Sequence, residues 1–216
     1  MNKLASAKEA VSRIKDGDVL LIGGFLQGGS PETLIQAVIE TTTAKNLTVV
    51  NNDTGWERQN TFKLMEQGRV VKVHSTWIGG NPITQKMYID NPASCVLTPQ
   101  GTLAEQIRAA GFGIPAFLTP VGVGTIVAEG KQVMTIDGRD YLLEKALHGD
   151  VALVHATKVD EFGNCYMRGA TKNFNAIMPA AAKYTVVEAE EVVPVGAIDP
   201  DLVTVSGIFI DAIVKL

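Results

Sequence analysis

"DGDVLLIGGFLQGGSPETL", residues Asp16 to Leu34, is the stretch that decides the fold. An apolar run, Val19 to Ile22, ends in Gly23-Gly24. Phe25 follows, then Gly28-Gly29 and Ser30-Pro31. This reads as a strand, a glycine-rich turn and a helix start. Ser30 can serve as N-cap and Pro31 suits the first helical position. Leu34, Ile35, Val38 and Ile39 then give the helix its buried stripe. In an open α/β sheet, ligands bind beyond the carboxyl ends of the strands. There, glycines let backbone N–H groups approach an anion, and the helix end adds a positive partial charge.

The rest of the chain repeats the strand–helix alternation. Ser6 to Glu9 spells a capping box, predicting a helix to about Ile14. Leu47–Val50, Val70–His74 and Cys95–Leu97 read as further strands, and so do Val151–Ala156 and Thr185–Glu190. Thr102 to Glu105 spells a second capping box, with Gly111 as the C′ residue. "VMTIDGRDYLL", near residues 133–143, is a hairpin pattern with Asp137-Gly138 as a type I′ turn. The expected fold class is α/β: a single domain, 1–216, with a mostly parallel central sheet covered by helices, plus that hairpin.

Composition narrows the function. The 216 residues are 46% hydrophobic and 19% charged, with a net charge of -4 and no basic block, so no nucleic-acid partner is expected. No apolar run approaches the ~20 residues of a membrane helix, so no membrane partner is expected either. The start, "MNKLASAKEA", lacks the apolar core of a signal peptide. Cys95 and Cys165 are far apart and match no metal spacing. Together these predict a cytoplasmic protein with reduced thiols and no metal. His74 and His155 lie in strands and read as hydrogen-bonded structural residues, His148 as a loop residue.

Known phosphate motifs fail on the glycine turn. The Rossmann G-x-G-x-x-G does not fit glycines at 23, 24, 28 and 29, and the P-loop lysine position holds Gly29. There is no G-x-S-x-G elbow for a serine hydrolase. The stretch instead resembles the signature of family I coenzyme A transferases: Asp16-Gly17, Leu20-Leu21-Ile22, Gly23-Gly24-Phe25, Gly29 and Pro31. The resemblance continues through "NNDTG" (51–55), "GGNP" (79–82), "PQGTLAEQIRAAG" (99–111), "FLTPVGVGT" (117–125) and "TKNFN" (171–175). Order and spacing resemble the family's α subunit, of the 3-oxoacid, acetate or butyrate–acetoacetate type. "AAGFGIPAF" (109–117) departs from the more glycine-rich stretch of such members, which bears on the shape of the acyl pocket.

The resemblance implies transfer of CoA between short-chain carboxylic acids, with an acyl-CoA thioester as substrate and no permanently bound cofactor. In the family a glutamate attacks the acyl-CoA carbonyl to give an anhydride and then a glutamyl-CoA thioester. The reaction needs oxyanion donors and exclusion of water. That glutamate lies in the β half, and this chain matches only the α half. Of the local carboxylates, Glu161 reads as a turn residue and Glu105 as part of a capping box. Glu188, Glu190 and Glu191 follow a strand with no glycine or amide cluster beside them. No catalytic residue is therefore expected here, and the partner is a β subunit in an α2β2 or larger hetero-oligomer.

The chain would supply the pocket. The Gly23–Gly29 turn (Gly23, Gly24, Phe25, Leu26, Gln27, Gly28, Gly29) is the candidate CoA or oxyanion site, through the N–H groups of Gly23, Gly24 and Phe25 first. Asn51, Asn52, Gln100 and Gly101 are candidates for the substrate pocket, with turn stabilisation as the alternative for the amides. Gln100 should emerge at the sheet edge where the glycine turn lies. Gly122 and Gly124 either line a CoA groove or form a second glycine turn. Two rival readings stand: a non-catalytic acyl-CoA or anion-binding module, and a sugar-phosphate isomerase-like protein with phosphate at the Ser30 helix.

Overall fold

Three consecutive residues of the first strand, Leu20, Leu21 and Ile22, are buried, as a strand covered on both faces requires. The computed structural model describes residues 3–26, 28–57 and 59–216. In chain order its strands are β1 (Val19–Ile22), β2 (Leu47–Val50), β3 (Val70–Ser75), β4 (Cys95–Leu97), β5 (Ala116–Thr119), β6 (Val133–Ile136), β7 (Arg139–Lys145), β8 (Gly149–Asp160), β9 (Cys165–Tyr166), β10 (Ala182–Val193) and β11 (Ala212–Lys215). The α-helices are α1 (Ala7–Val11), α2 (Glu32–Thr41), α3 (Asn60–Glu66), α4 (Pro82–Asp90) and α5 (Gln100–Gly111).

The main sheet runs β11-β10-β8-β1-β2-β3-β4, with β9 beside β8. Every pairing along that path is parallel, and only β9 runs antiparallel. Period-two alternation splits β1 between two cores. Leu20 and Ile22 face Leu34, Ile35 and Val38 of α2. Leu21 faces Leu103 and Ile107 of α5 together with Phe174 and Met178. Each such Leu or Ile contributes about 1.5–3 kcal/mol by leaving water. Among the described residues, no helix is long and apolar enough to cross a membrane.

The expected α/β class and the hairpin are both present. Asp137 and Gly138 have φ of 50° and 76°, the double positive φ of a type I′ turn. The hairpin is larger than expected, because β5 adds to β7 and makes a separate three-stranded antiparallel sheet, β5-β7-β6. The Ser6–Glu9 capping box forms, but α1 stops at Val11, short of Ile14.

Two helix starts differ from the sequence reading. Ser30 does not cap α2: the helix begins at Glu32, and the Ser30 hydroxyl donates to Glu32 Oε1 at 2.6 Å. The capping acceptor comes from the sheet instead, where Glu188 Oε2 accepts from the Leu34 N–H at 3.0 Å. The Thr102–Glu105 box is not made either. Pro99, with φ -52°, occupies the N-cap position of α5, and its fixed φ starts the helix three residues early. Thr102 is then already helical and Glu105 pairs with Arg108.

Candidate functional site

The sequence brings β1 and β2 out side by side, and both end in polar or glycine-rich turns at the same edge. Between them lies a niche lined by Gly23, Gly24, Ser30, Asn51, Asp53 and Thr61, among others, enclosing about 10 Å³. That is of the order of one water molecule, so the niche admits an oxygen atom rather than an acyl chain. Beside it Phe25, Leu26, Trp56 and Trp77 expose large apolar surfaces. The two tryptophan rings lie 5.5 Å apart.

The donors expected to meet a ligand are already used. Gly23 N–H donates to Leu153 O at 3.0 Å, and Phe25 N–H to Gly28 O at 3.0 Å. Gly24 N–H donates to Asn173 Oδ1 at 3.1 Å and Leu26 N–H to Asp53 Oδ2 at 2.7 Å. Gly28 N–H returns to Phe25 O at 2.9 Å. The donors left over are at the end of the turn: among the described residues, the N–H groups of Gly29 and Ser30 make no hydrogen bond. The N–H groups of Gly23, Gly24 and Phe25, the first choice from the sequence, are thus engaged within the protein. A turn this tight closes on itself, so its early amides satisfy the turn and only the last ones stay open. Gln27 lies outside the described residues.

Asn51 and Asn52 differ although both are buried. Asn52 is tied down: its Nδ2 donates to Asp53 Oδ2 at 3.0 Å, and its Oδ1 accepts from Thr76 Oγ1 at 3.2 Å. Asn51 donates to Asp53 O at 3.3 Å, but its Oδ1 is buried without a partner and the residue lines the niche. An orphaned buried acceptor costs about 1–3 kcal/mol, so this amide is a ready ligand-contacting group. Asp53 is not. Its Oδ2 holds Leu26 and Asn52, and its Oδ1 accepts from Gly55 N–H at 3.2 Å.

Gln100 and Gly101 do emerge at the carboxyl edge, but at β4. That is three strand spacings from β1, roughly 14 Å. Gln100 is exposed at the first position of α5. Gly101 lines a different cavity, of about 380 Å³, with Phe117, Thr119 and Val121. Gly122 and Gly124 sit in the adjoining tight turn with φ of 93° and 74°, where the Gly122 carbonyl accepts from Thr125.

Glu188 and Glu190 do not follow a strand; they lie within β10. Glu188 is buried, and its Oε1 meets His155 Nδ1 at 2.9 Å, while His155 Nε2 meets Glu190 Oε1 at 3.1 Å. Burial works to lower the His155 pKa, but bonds and charges of the two glutamates outweigh it and the net shift is upward. The His74 ring makes no hydrogen bond among the described residues, contrary to expectation. Burial, with Lys72 adding repulsion, pulls its pKa down to about 4. Both cysteines are buried free thiols, and burial pushes Cys165 up to about 12. Among the described residues, no group of three or more His, Cys, Asp or Glu is placed to hold a metal.

Sequence reasoning missed the residues behind the turn, Asn173 and Asn175. "TKNFN" was visible as a motif, but nothing in its spacing says which loop it touches.

With this geometry in place, similarity to known proteins is informative. A family profile described as Coenzyme A transferase matches residues 4–216. The alpha chain of the acetate CoA-transferase of Escherichia coli is 41% identical over 212 residues, covering 98% of this chain and 96% of that protein. The alpha chain of the acetoacetyl-CoA:acetate/butyrate CoA transferase of Clostridium acetobutylicum is 41% identical over 214 residues, covering 99% and 98%. Among solved structures, an acyl-CoA transferase of Escherichia coli in a thioester complex with CoA superposes with a TM-score of 0.87 at 23% identity. All of this chain matches, over 47% of that longer one. At that identity the likeness is one of fold.

Proposed function

The chain belongs to the coenzyme A transferase family, and from that premise we propose that it is the α subunit of a short-chain acyl-CoA:carboxylate CoA transferase whose β subunit supplies the nucleophilic glutamate. The observation that carries this reading is the niche at the ends of β1 and β2. It offers the open N–H of Ser30, with the open N–H of Gly29 one residue before it, and the unpaired acceptor Oδ1 of Asn51, while the carboxylate that lines it, Asp53, is held by three donors. Glu32, just beyond, receives Ser30 Oγ on one oxygen and Asn60 N–H on the other. Open backbone N–H groups of this kind can stabilise a developing oxyanion; a carboxylate free to attack is not among the described groups of the niche.

In this reading the thioester carbonyl oxygen enters the niche as charge develops on it, and the open backbone N–H groups hold that charge. From the open side, a glutamate carboxylate of the β subunit makes the attack. The thiolate of CoA leaves and then returns to the anhydride carbonyl on the glutamate, releasing the first carboxylic acid. The same steps in reverse load the second acid. The substrate is an acyl-CoA thioester, and no resident cofactor takes part. Phe25, Leu26, Trp56 and Trp77 form the apolar rim against which the β subunit closes, keeping water from anhydride and thioester. Asn51 is the substrate-facing amide of the niche, and Gln100, exposed at the β4 end of the same edge, is the candidate contact for a more distant part of the substrate. Asn52 and Gly101 support them, and Gly122 and Gly124 border the CoA groove beside α5. The chain acts as one domain over 1–216, in an α2β2 or larger assembly in the cytoplasm.

The test is reconstitution. The isolated chain should transfer no CoA between acetoacetate, acetate, butyrate or succinate; mixed with the β subunit it should. Full turnover by the isolated chain would overturn the reading.

A further inference from the structure

The N-F-N segment at residues 173–175 lies behind the glycine turn and touches it at four glycines. Asn173 Oδ1 accepts from Gly24 N–H at 3.1 Å, and its Nδ2 donates to Gly28 O at 3.0 Å. Asn175 Nδ2 donates to Gly29 O at 2.8 Å and to Thr171 O at 2.9 Å. Its Oδ1 accepts from the His155 N–H at 3.0 Å, which anchors it to β8. Asn175 is fully buried. A Cβ on Gly23 would lie 1.7 Å from Asn175 Oδ1, and one on Gly29 would lie 2.8 Å from its Nδ2. The absent side chains at 23 and 29 therefore make room for Asn175 rather than for a ligand.

The two amides divide the work. Asn173 grips an amide at the start of the turn and a carbonyl near its end, which fixes the turn's width. Asn175 takes the Gly29 carbonyl and so orients the peptide plane between Gly29 and Ser30, whose N–H is one of the two left open. A carbonyl held from behind sends the N–H of the same peptide to the opposite side. Neither asparagine lines the niche, so neither is placed to touch substrate.

We propose that Asn173 and Asn175 are positioning residues that hold the glycine turn so that the Gly29 and Ser30 N–H groups stay open to the reacting oxygen. This inference rests on the functional reading above. Removing a single oxyanion donor costs about 100- to 1,000-fold in turnover. A loosened clamp that still samples the right shape should cost less, roughly 10- to 100-fold.

The experiment uses the assembled αβ protein with Asn173→Ala, which alters a half-buried residue, and Asn175→Asp, which keeps the volume and the acceptor but removes the donor to Gly29. Both should lower kcat about 10- to 100-fold, with KM for acyl-CoA and for the acceptor acid within about two-fold. A purely structural role would lower the melting temperature and leave kcat per folded enzyme unchanged. Amide exchange supplies a readout independent of turnover: the Gly24 N–H should exchange faster in Asn173→Ala, while the Gly23 N–H, bonded to Leu153 O, should not. Wild-type kcat in both folded variants, or unchanged exchange at Gly24, overturns the clamp. Absence of transfer in wild-type αβ overturns the functional reading instead, and the clamp then stands or falls on Gly24 exchange alone.

Discussion

Adding one methyl group at Gly23 should be far more damaging than adding the same group at Gly101. The Gly23 Cβ would stand 1.7 Å from Asn175 Oδ1 and 2.6 Å from its Cγ, where a carbon needs more than 3 Å. Asn175 can yield only by giving up the His155 N–H, the Gly29 carbonyl and the Thr171 carbonyl. Each orphaned group costs about 1–3 kcal/mol. The other route is retreat of the Gly23 backbone from Leu153 O, a form of overpacking that costs about 1–3 kcal/mol with a ladder hydrogen bond weakened besides. The cheaper route sets the outcome, at about 3 kcal/mol. For a chain of this length that lowers the melting temperature by about 6–12 °C. At Gly101 a Cβ meets nothing within 4 Å and the residue lies in the first turn of α5. Alanine there should stabilise by about 0.5–1 kcal/mol, because it has less freedom to lose on folding. The assay is thermal unfolding of both variants and wild type at one protein concentration, since association shifts apparent stability. If Gly23→Ala melts within about 2 °C of wild type, Asn175 swings aside freely and the reasoning fails.

Glu188→Ala removes both the acceptor that caps α2 at Leu34 and a partner of His155; breaking such a buried arrangement should cost about 3–5 kcal/mol, read as a lower urea midpoint, whereas the exposed Glu191→Ala should cost under about 1 kcal/mol. The His155 pKa lies above its ordinary 6.5, so its stabilising contribution is complete below pH 6.5 and is lost as pH rises through the folded-state value. The stability gap between wild type and His155→Asn should therefore narrow with rising pH, and a ring titrating below 6.5 by NMR would contradict this. Gln100→Ala alters an exposed side chain and should shift stability by no more than about 0.5 kcal/mol. As a substrate contact it should still lower kcat/KM about 5- to 150-fold, the scale of one hydrogen bond, and unchanged kcat/KM removes it from the site. Asn51→Leu should give a similar loss in kcat/KM at a stability cost of no more than about 1 kcal/mol, because the Oδ1 it removes has no partner in the folded chain and only the long Nδ2 bond to Asp53 O is lost; a normal kcat/KM would show that the niche is not used.

By itself the sequence determined the strand–helix alternation and the parallel sheet. Continuous apolar runs such as Val19–Ile22 and Val151–Ala156 fit only strands covered on both faces, and Asp137-Gly138 can close only a narrow family of turns. It also located the glycine turn at a strand's carboxyl end, since local residue order fixes that. Which amides of the turn remain open was decided by the tertiary structure. Gly23, Gly24, Phe25 and Leu26 use theirs on Leu153, Asn173, Gly28 and Asp53, and three of those acceptors lie tens of residues or more away in the chain. Helix capping shows the same limit. Ser30 carries the right chemistry for the start of α2, yet Glu188, 154 positions from Leu34, takes the N–H instead. Gln100 and the glycine turn share an edge in the sequence reading, but only the order of β1, β2, β3 and β4 set the distance between them. Hydrogen-bond partners separated by a hundred residues leave no periodicity to read, because their meeting depends on how strands are ordered in the sheet and not on spacing along the chain.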